Sequence, residues 1–162
     1  MKLNIRPVME EDIPKLIHLC LLAFQPIFDS FKQILGKDIF SIIYPDWRQT
    51  QSDVVKAEIF TEDIAVWVAE VDGKTAGLIT QKVDQKTRVG EVHFLAVHPD
   101  YQNQGVGTAL NNFVLDQLRE AGMVVAMVST GGDISHAPAR RTYEKVGFIP
   151  LTIVNYYKKL SS

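Results

Sequence analysis

The sequence predicts a mixed α/β fold, a mostly antiparallel twisted sheet with helices on both faces. Three observations carry that prediction. Two runs rich in β-branched residues, Ile64–Val71 and Thr75–Val83, flank Asp72-Gly73, a strong hairpin turn signal. An apolar stripe at helical spacing, from Val106 through Ala109, Leu110, Phe113 and Val114 to Leu118, separates the strand-like runs Val89–Val97 and Met123–Val128. A helical crossover of this kind lets two strands lie parallel, and it should be right-handed.

The elements follow in order. Leu3–Arg6 reads as a short first strand. Ile13, Leu16, Ile17, Cys20, Leu21 and Phe24 recur at helical spacing, with Asp12 as the candidate N-cap. Cys20 lies on that apolar face, so it is expected to pack rather than react. Pro26 opens a second helical pattern through Ile27, Phe31, Ile34 and Leu35, and Asp46 caps a third, from Trp47 towards Ile59. The hairpin comes next, then Val89–Val97 as the third strand of a meander. Gly122 ends the crossover helix. Met123–Val128 is almost continuously apolar, as in a strand buried on both faces. A helix from about Pro138 to Val146 stops at Gly147, and Leu151–Leu160 is expected as the final strand. No repeat or linker interrupts residues 1–162, which read as one domain.

Composition narrows the function. Hydrophobic residues make up 46% and charged residues 22%, close to an average soluble protein. A net charge of −2 argues against a nucleic-acid binder, which usually carries a basic stripe. No apolar run approaches the roughly 20 residues that span a bilayer. Met1–Arg6 lacks the pattern of a secretory signal. One cysteine rules out an internal disulfide, so a reducing cytoplasm is the expected compartment. His18, His93, His98 and His136 form no familiar zinc spacing, and no metal is expected.

The most informative segment runs from His98 to Thr108, between a strand and an amphipathic helix. Gly105 and Gly107 let backbone approach a ligand closely. The first N–H groups of the following helix have no partner within it, and with the helix dipole they suit an anion such as pyrophosphate. A dinucleotide fingerprint would need a small residue where Leu110 stands, and a P-loop would need Gly-Lys-Ser/Thr. A tight turn that merely requires glycine is the plainer alternative.

The surrounding residues favour a ligand. Gln102-x-x-Gly105-x-Gly107 resembles the Q/R-x-x-G-x-G/A motif of the GCN5-related N-acetyltransferase (GNAT) superfamily. Ala139-x-x-x-Tyr143-Glu-Lys-x-Gly147-Phe148 is similar to a second block of that family. The order of elements is alike as well. The resemblance implies transfer of an acetyl group from acetyl-CoA to an amine by direct attack in a ternary complex, without a metal. It implies a splay between two central parallel strands. Coenzyme A would lie there, with its pantetheine arm along Leu95, Ala96 and Val97. Its pyrophosphate would lie within the amides of Gln102, Asn103, Gln104, Gly105, Val106, Gly107 and Thr108. The N–H near Leu95 would face the thioester oxygen.

Tyr143 is implied as the general acid; otherwise it is a core aromatic. A lysine-like amine, with a pKa of about 10.4, must lose a proton before it attacks. Glu91, on a strand that resembles the histone-acetyltransferase branch of the family, is the first candidate base. His93, expected on the same strand face, is the second. Where many relatives have an Asn that touches pantetheine, this chain has His136. The loop Ser129–Asp133 would border the acceptor, with Asp133 facing a cationic amine. Arg140, Arg141 and Lys145 form a basic face that suits phosphates or solvent. The aromatics from Phe24 to Trp47 are expected mostly as core.

Polyamine, amino acid, aminoglycoside, peptide N-terminus and protein lysine are all open as acceptors, and a homodimer is a habit of the family. Neither nucleic acid nor membrane is expected as a partner. A regulatory module that holds acetyl-CoA without turnover is the alternative, against which the retained Tyr143 and Glu91 speak. A nucleotide-binding domain is a third reading, disfavoured by its missing fingerprint.

Overall fold

A computed structural model describes residues 1–160 of the chain. In order along the chain stand β1 (Leu3–Pro7), α1 (Ile13–Ile43), α2 (Trp47–Phe60), β2 (Ile64–Val71), β3 (Lys74–Asp84), β4 (Val89–Val97), α3 (Val106–Glu120), β5 (Val125–Val128) and α4 (Ala137–Lys145). The five strands form one sheet in the order β1-β2-β3-β4-β5. Every neighbouring pair is antiparallel except β4 and β5, which α3 joins as a parallel pair. Asp72 and Gly73 both have positive φ, as a two-residue primed turn demands, and set Val71 opposite Lys74.

Helices cover both faces. On one, Leu16, Leu19, Cys20 and Val55 of α1 and α2 pack on Val66, Val68, Leu78 and Ala96. On the other, Val106, Leu110, Val114 and Leu118 of α3 pack on Ala69, Ile79 and Val92. Cys20 is fully buried, and burial pushes its thiol up to about 12, so it packs as expected. The α3 contact is close at Gly90, where an added Cβ would fall 2.5 Å from Leu118 Cδ2. Gly90→Ala should therefore destabilise the fold by about 1–3 kcal/mol, read as a lowered denaturation midpoint with an unchanged m-value.

Local chemistry explains most boundaries. Asp46 accepts from Gln49 N–H and caps α2. Asp12 stands at the start of α1, but its carboxylate takes two bonds from Arg6, at 2.8 and 2.9 Å, and one from Met9 N–H. Arg6 also reaches Glu70, tying β1 to the entry of α1 and to β2. At the end of α3, Gly122 N–H donates to Arg119 O and Met123 N–H to Leu118 O.

Three expectations need correction. α1 runs through Pro26, whose ring removes one backbone donor, and is broken instead at Gly36, whose φ of 76° is not helical. The last sheet strand is shorter than Met123–Val128 and is not buried on both faces. Ala126 and Val128 pack towards α3, whereas Val125 and Met127, on the opposite face, are exposed. Leu151–Leu160 forms no strand within the chain: residues 149–160 carry no helix, strand, turn or bend, and are exposed.

Candidate active site

β4 has β5 beside it only at its start. Val89–Val92 pair with Val125–Val128, and past Val92 the two strands part. On its other side β4 stays paired with β3 as far as Val97. Residues 93–97 are thus strand on one side and open on the other. His98 N–H donates to Ala76 O, so alternation along the strand turns the main-chain groups of Leu95 and Val97 to the open side. Gln102 Nε2 already reaches Val97 O there, at 3.0 Å.

A cleft of about 640 Å³ opens in this gap, between β4, α1, the start of α3 and α4. Its floor is the turn before α3. Asn103 (φ 58°) and Gly105 (φ 85°) both take left-handed conformations. The first bond of α3 is Ala109 N–H to Gly105 O, and among the described residues no acceptor meets the N–H groups of residues 103–108. Donors of this kind at the positive end of a helix dipole suit an anion. Gly107 plays a different part from Gly105. A Cβ there would sit 3.6 Å from Thr142 and 3.7 Å from Val97, an ordinary contact. Gly105→Ala should lower stability by about 1–2 kcal/mol, through its left-handed backbone. Gly107→Ala should leave the melting temperature close to the wild-type value.

Tyr143, on α4, is 8% exposed and lines the cleft. Gly147 N–H donates to Glu144 O and Phe148 N–H to Tyr143 O, which folds Phe148 back edge-on to the Tyr143 ring. The hydroxyl has no hydrogen-bond partner among the described residues, and burial pushes it up to about 12.

His93 is the unpaired residue of a bulge. Phe94 stands opposite Thr80 and Val92 opposite Gln81, which leaves His93 out of register. Glu91 and His93 still share the face towards α1 and α2, as expected, and the bulge turns Phe94 to that face as well. Glu91 lies between Lys82 and Met127 and does not line the cleft, whereas His93 does. His93 Nδ1 pairs with Glu58 Oε1 at 2.6 Å, and Thr80 Oγ1 donates to Glu58 Oε2 at 2.7 Å. Glu58 is 6% exposed. Sequence reasoning passed over it. The available signal was an acid on the buried stripe of α2, in line with Trp47, Gln51 and Val55.

His136 also lines the cleft, stacked on Phe31, with Nδ1 bound to Asp133. Asp133 does not face an acceptor freely. Its carboxylate takes bonds from Ser30, Ser135 and His136. Burial pushes the carboxyl up, but these bonds from Ser135, His136 and Ser30 outweigh it and hold its pKa at about 2. Arg140 is likewise committed, donating to Gly131 O and Asp133 O. Arg141 and Lys145 line the cleft and form no ion pair among the described residues.

Of the residues expected in the site, Leu95, Ala96, Val97, Gln102, Asn103, Gly105, Gly107, Thr108, His136, Tyr143 and His93 line this one cleft. Gln104 turns its side chain to Asp100 O, and Val106 buries its own in the α3 core; each contributes at most its backbone to this turn. Among the described residues no group of His, Cys, Asp and Glu is arranged to hold a metal. No described helix is long and apolar enough to cross a membrane.

Residues 29–148 match the model of the acetyltransferase (GNAT) family. A mycothiol acetyltransferase of Streptomyces coelicolor is 36% identical over 101 residues, covering 62% of this chain and 32% of that protein. The chain spans about a third of the length of several such relatives. An uncharacterized N-acetyltransferase of Methanocaldococcus jannaschii aligns over 97% of the chain and 65% of its own length, at 24% identity. Among solved structures, the PaiA N-acetyltransferase of Thermoplasma acidophilum, in complex with coenzyme A, superposes with a TM-score of 0.69. It covers 92% of this chain and 91% of its own, at 18% identity. The ribosomal-protein-S18-alanine N-acetyltransferase of Escherichia coli gives 0.68 over 98% and 86%, at 22% identity.

Proposed function

Because the chain belongs to the acetyltransferase (GNAT) family, we propose that it moves an acetyl group from acetyl-CoA to a primary amine by direct attack in a ternary complex. The observation that carries this reading is the one-sided strand 93–97, which runs into a turn of unpaired amides at 103–108. A pantetheine arm offers amide groups of its own to such a strand, and a diphosphate fits such a turn. Acetyl-CoA would supply the activated thioester.

The chain's own residues then divide the work. The amides at 103–108 hold the diphosphate, with Arg141 and Lys145 contributing positive charge. Leu95 and Val97 orient the arm, and Leu95 N–H donates towards the acyl oxygen. His136, fixed through Nδ1 by Asp133, offers Nε2 to the arm in place of the more usual Asn. His93 is the base. Nδ1–H donated to Glu58 leaves the Nε2 lone pair free to take a proton from the amine. Glu58 is a positioning residue, and Thr80 holds its second oxygen. Tyr143 keeps its proton and donates it as a hydrogen bond to the departing sulfur.

The acceptor is an amine small or flexible enough to reach His93 from the α1 side, where Phe24 and Ile27 form the wall. A coupled thiol assay across a panel of polyamines, amino acids, aminoglycosides and peptides tests the proposal. Release of coenzyme A that depends on the amine is expected. A thermal shift with acetyl-CoA but no release with any amine would favour a binding module instead.

A further inference from the structure

We propose that the acceptor is a primary amine with a single positive charge, carried on an apolar alkyl or aryl body. This inference rests on the acetyl-transfer reading and narrows it.

The charge pattern of the cleft is the first observation behind it. Among the described residues the lining holds no Asp or Glu. The acids beside it are engaged elsewhere. Glu58, 6% exposed, gives one oxygen to His93 and the other to Thr80. Asp133 accepts from Ser30, Ser135 and His136. Asp29, on α1, accepts from Gln25 and lies outside the lining. Glu91 stands opposite Lys82, further back on β4. A second ammonium drawn in beside His93 would lose its water and meet no counter-charge, which is costly. Polyamines and aminoglycosides therefore fit this cleft poorly.

A carboxylate on the acceptor fares no better. Arg140 is spent on Gly131 O and Asp133 O. Arg141 and Lys145 stand on α4, where the acetyl-transfer reading gives them to the diphosphate. A free amino acid thus has no cation to meet at the acceptor end.

What that end offers is apolar surface. Phe24 stacks on Phe94, the β4 neighbour of His93, with ring centroids 5.4 Å apart. Ala23 and Ile27, one turn apart on α1, line the cleft beside Phe24. Ile27 is half-buried and, among the described residues, packs in none of the three core clusters. Its side chain is an apolar wall with nothing yet against it. The one charge of the acceptor leaves as a proton to His93, and the body of the amine lies on Phe24 and Ile27, where its burial adds affinity.

Coenzyme A release, measured at one pH for matched pairs of amines, tests the proposal. Phenylethylamine and phenylalanine differ by one carboxylate, and hexylamine and 1,6-diaminohexane by one ammonium. The apolar member of each pair should have the higher kcat/KM, by about ten-fold or more. From propylamine to hexylamine, kcat/KM should rise roughly three- to four-fold with each methylene. Ile27→Glu, with its melting temperature checked, should narrow or reverse the preference for hexylamine over the diamine. Release of coenzyme A with the amino acid or the diamine equal or preferred would overturn the acceptor class and leave acetyl transfer standing. An unchanged ratio in a folded Ile27→Glu variant would do the same. No release with any amine would overturn both.

Discussion

Replacing His93 with Gln lowers kcat/KM for the amine by on the order of 100-fold, as expected for loss of a positioned base. The loss is largest near pH 7 and shrinks towards pH 10, because a lysine-like amine with a pKa of about 10.4 supplies its own free base there. Affinity for acetyl-CoA, measured by titration, stays near the wild-type value, since the anion site is untouched. Glu58→Gln keeps the shape of the pair and a partner for Thr80 but removes the charge that favours the reactive tautomer. Its effect is smaller, in the same pH direction, and falls on kcat more than on binding. The double variant should be no slower than His93→Gln alone, because Glu58 acts only through the imidazole. Equal losses at every pH would remove His93 as the base. Glu91→Gln is the control: with its side chain outside the cleft, it should leave the pH profile intact.

Tyr143→Phe lowers kcat by on the order of 100-fold, the usual cost of losing a hydrogen-bond donor aimed at developing charge. The ring, which packs on Phe148, is retained, so stability and coenzyme A affinity should change little. The pH dependence is specific. Burial raises the hydroxyl from its ordinary 10 to about 12, so it keeps its proton at every pH up to about 11. Hence kcat of the wild-type enzyme shows no alkaline decline from this group between pH 8 and 10. A variant as fast as wild type would reduce Tyr143 to packing.

Much of this was legible in the sequence because it depends on local chemistry. The Asp72-Gly73 hairpin, the Asp46 cap, the α3 stripe and the glycine turn are written in consecutive residues, and the family motifs pointed to Tyr143 and to the turn at 102–108, which the structure brings to one cleft. What escaped depends on tertiary relations. The bulge at His93 arises from the register of β3 against β4, and Glu91, though on the same face, lies too far back along the strand to line the cleft. Glu58 becomes part of the site only because α2 packs on Thr80, far along the chain. Asp133 and Arg140 read as free charges in the sequence, yet each is consumed in holding the loop before α4. The stretch Leu151–Leu160 has the composition of a strand, but pairing needs a partner, and its own sheet offers none along its path.

The most direct test of the account is a set of amide spectra of the 15N-labelled protein titrated with coenzyme A. The largest shifts should fall on Leu95, Val97 and residues 103–108, saturating at one equivalent. Saturable binding that moves other amides, or no binding at millimolar coenzyme A, would contradict the assignment of the gap between β4 and β5 as the donor site.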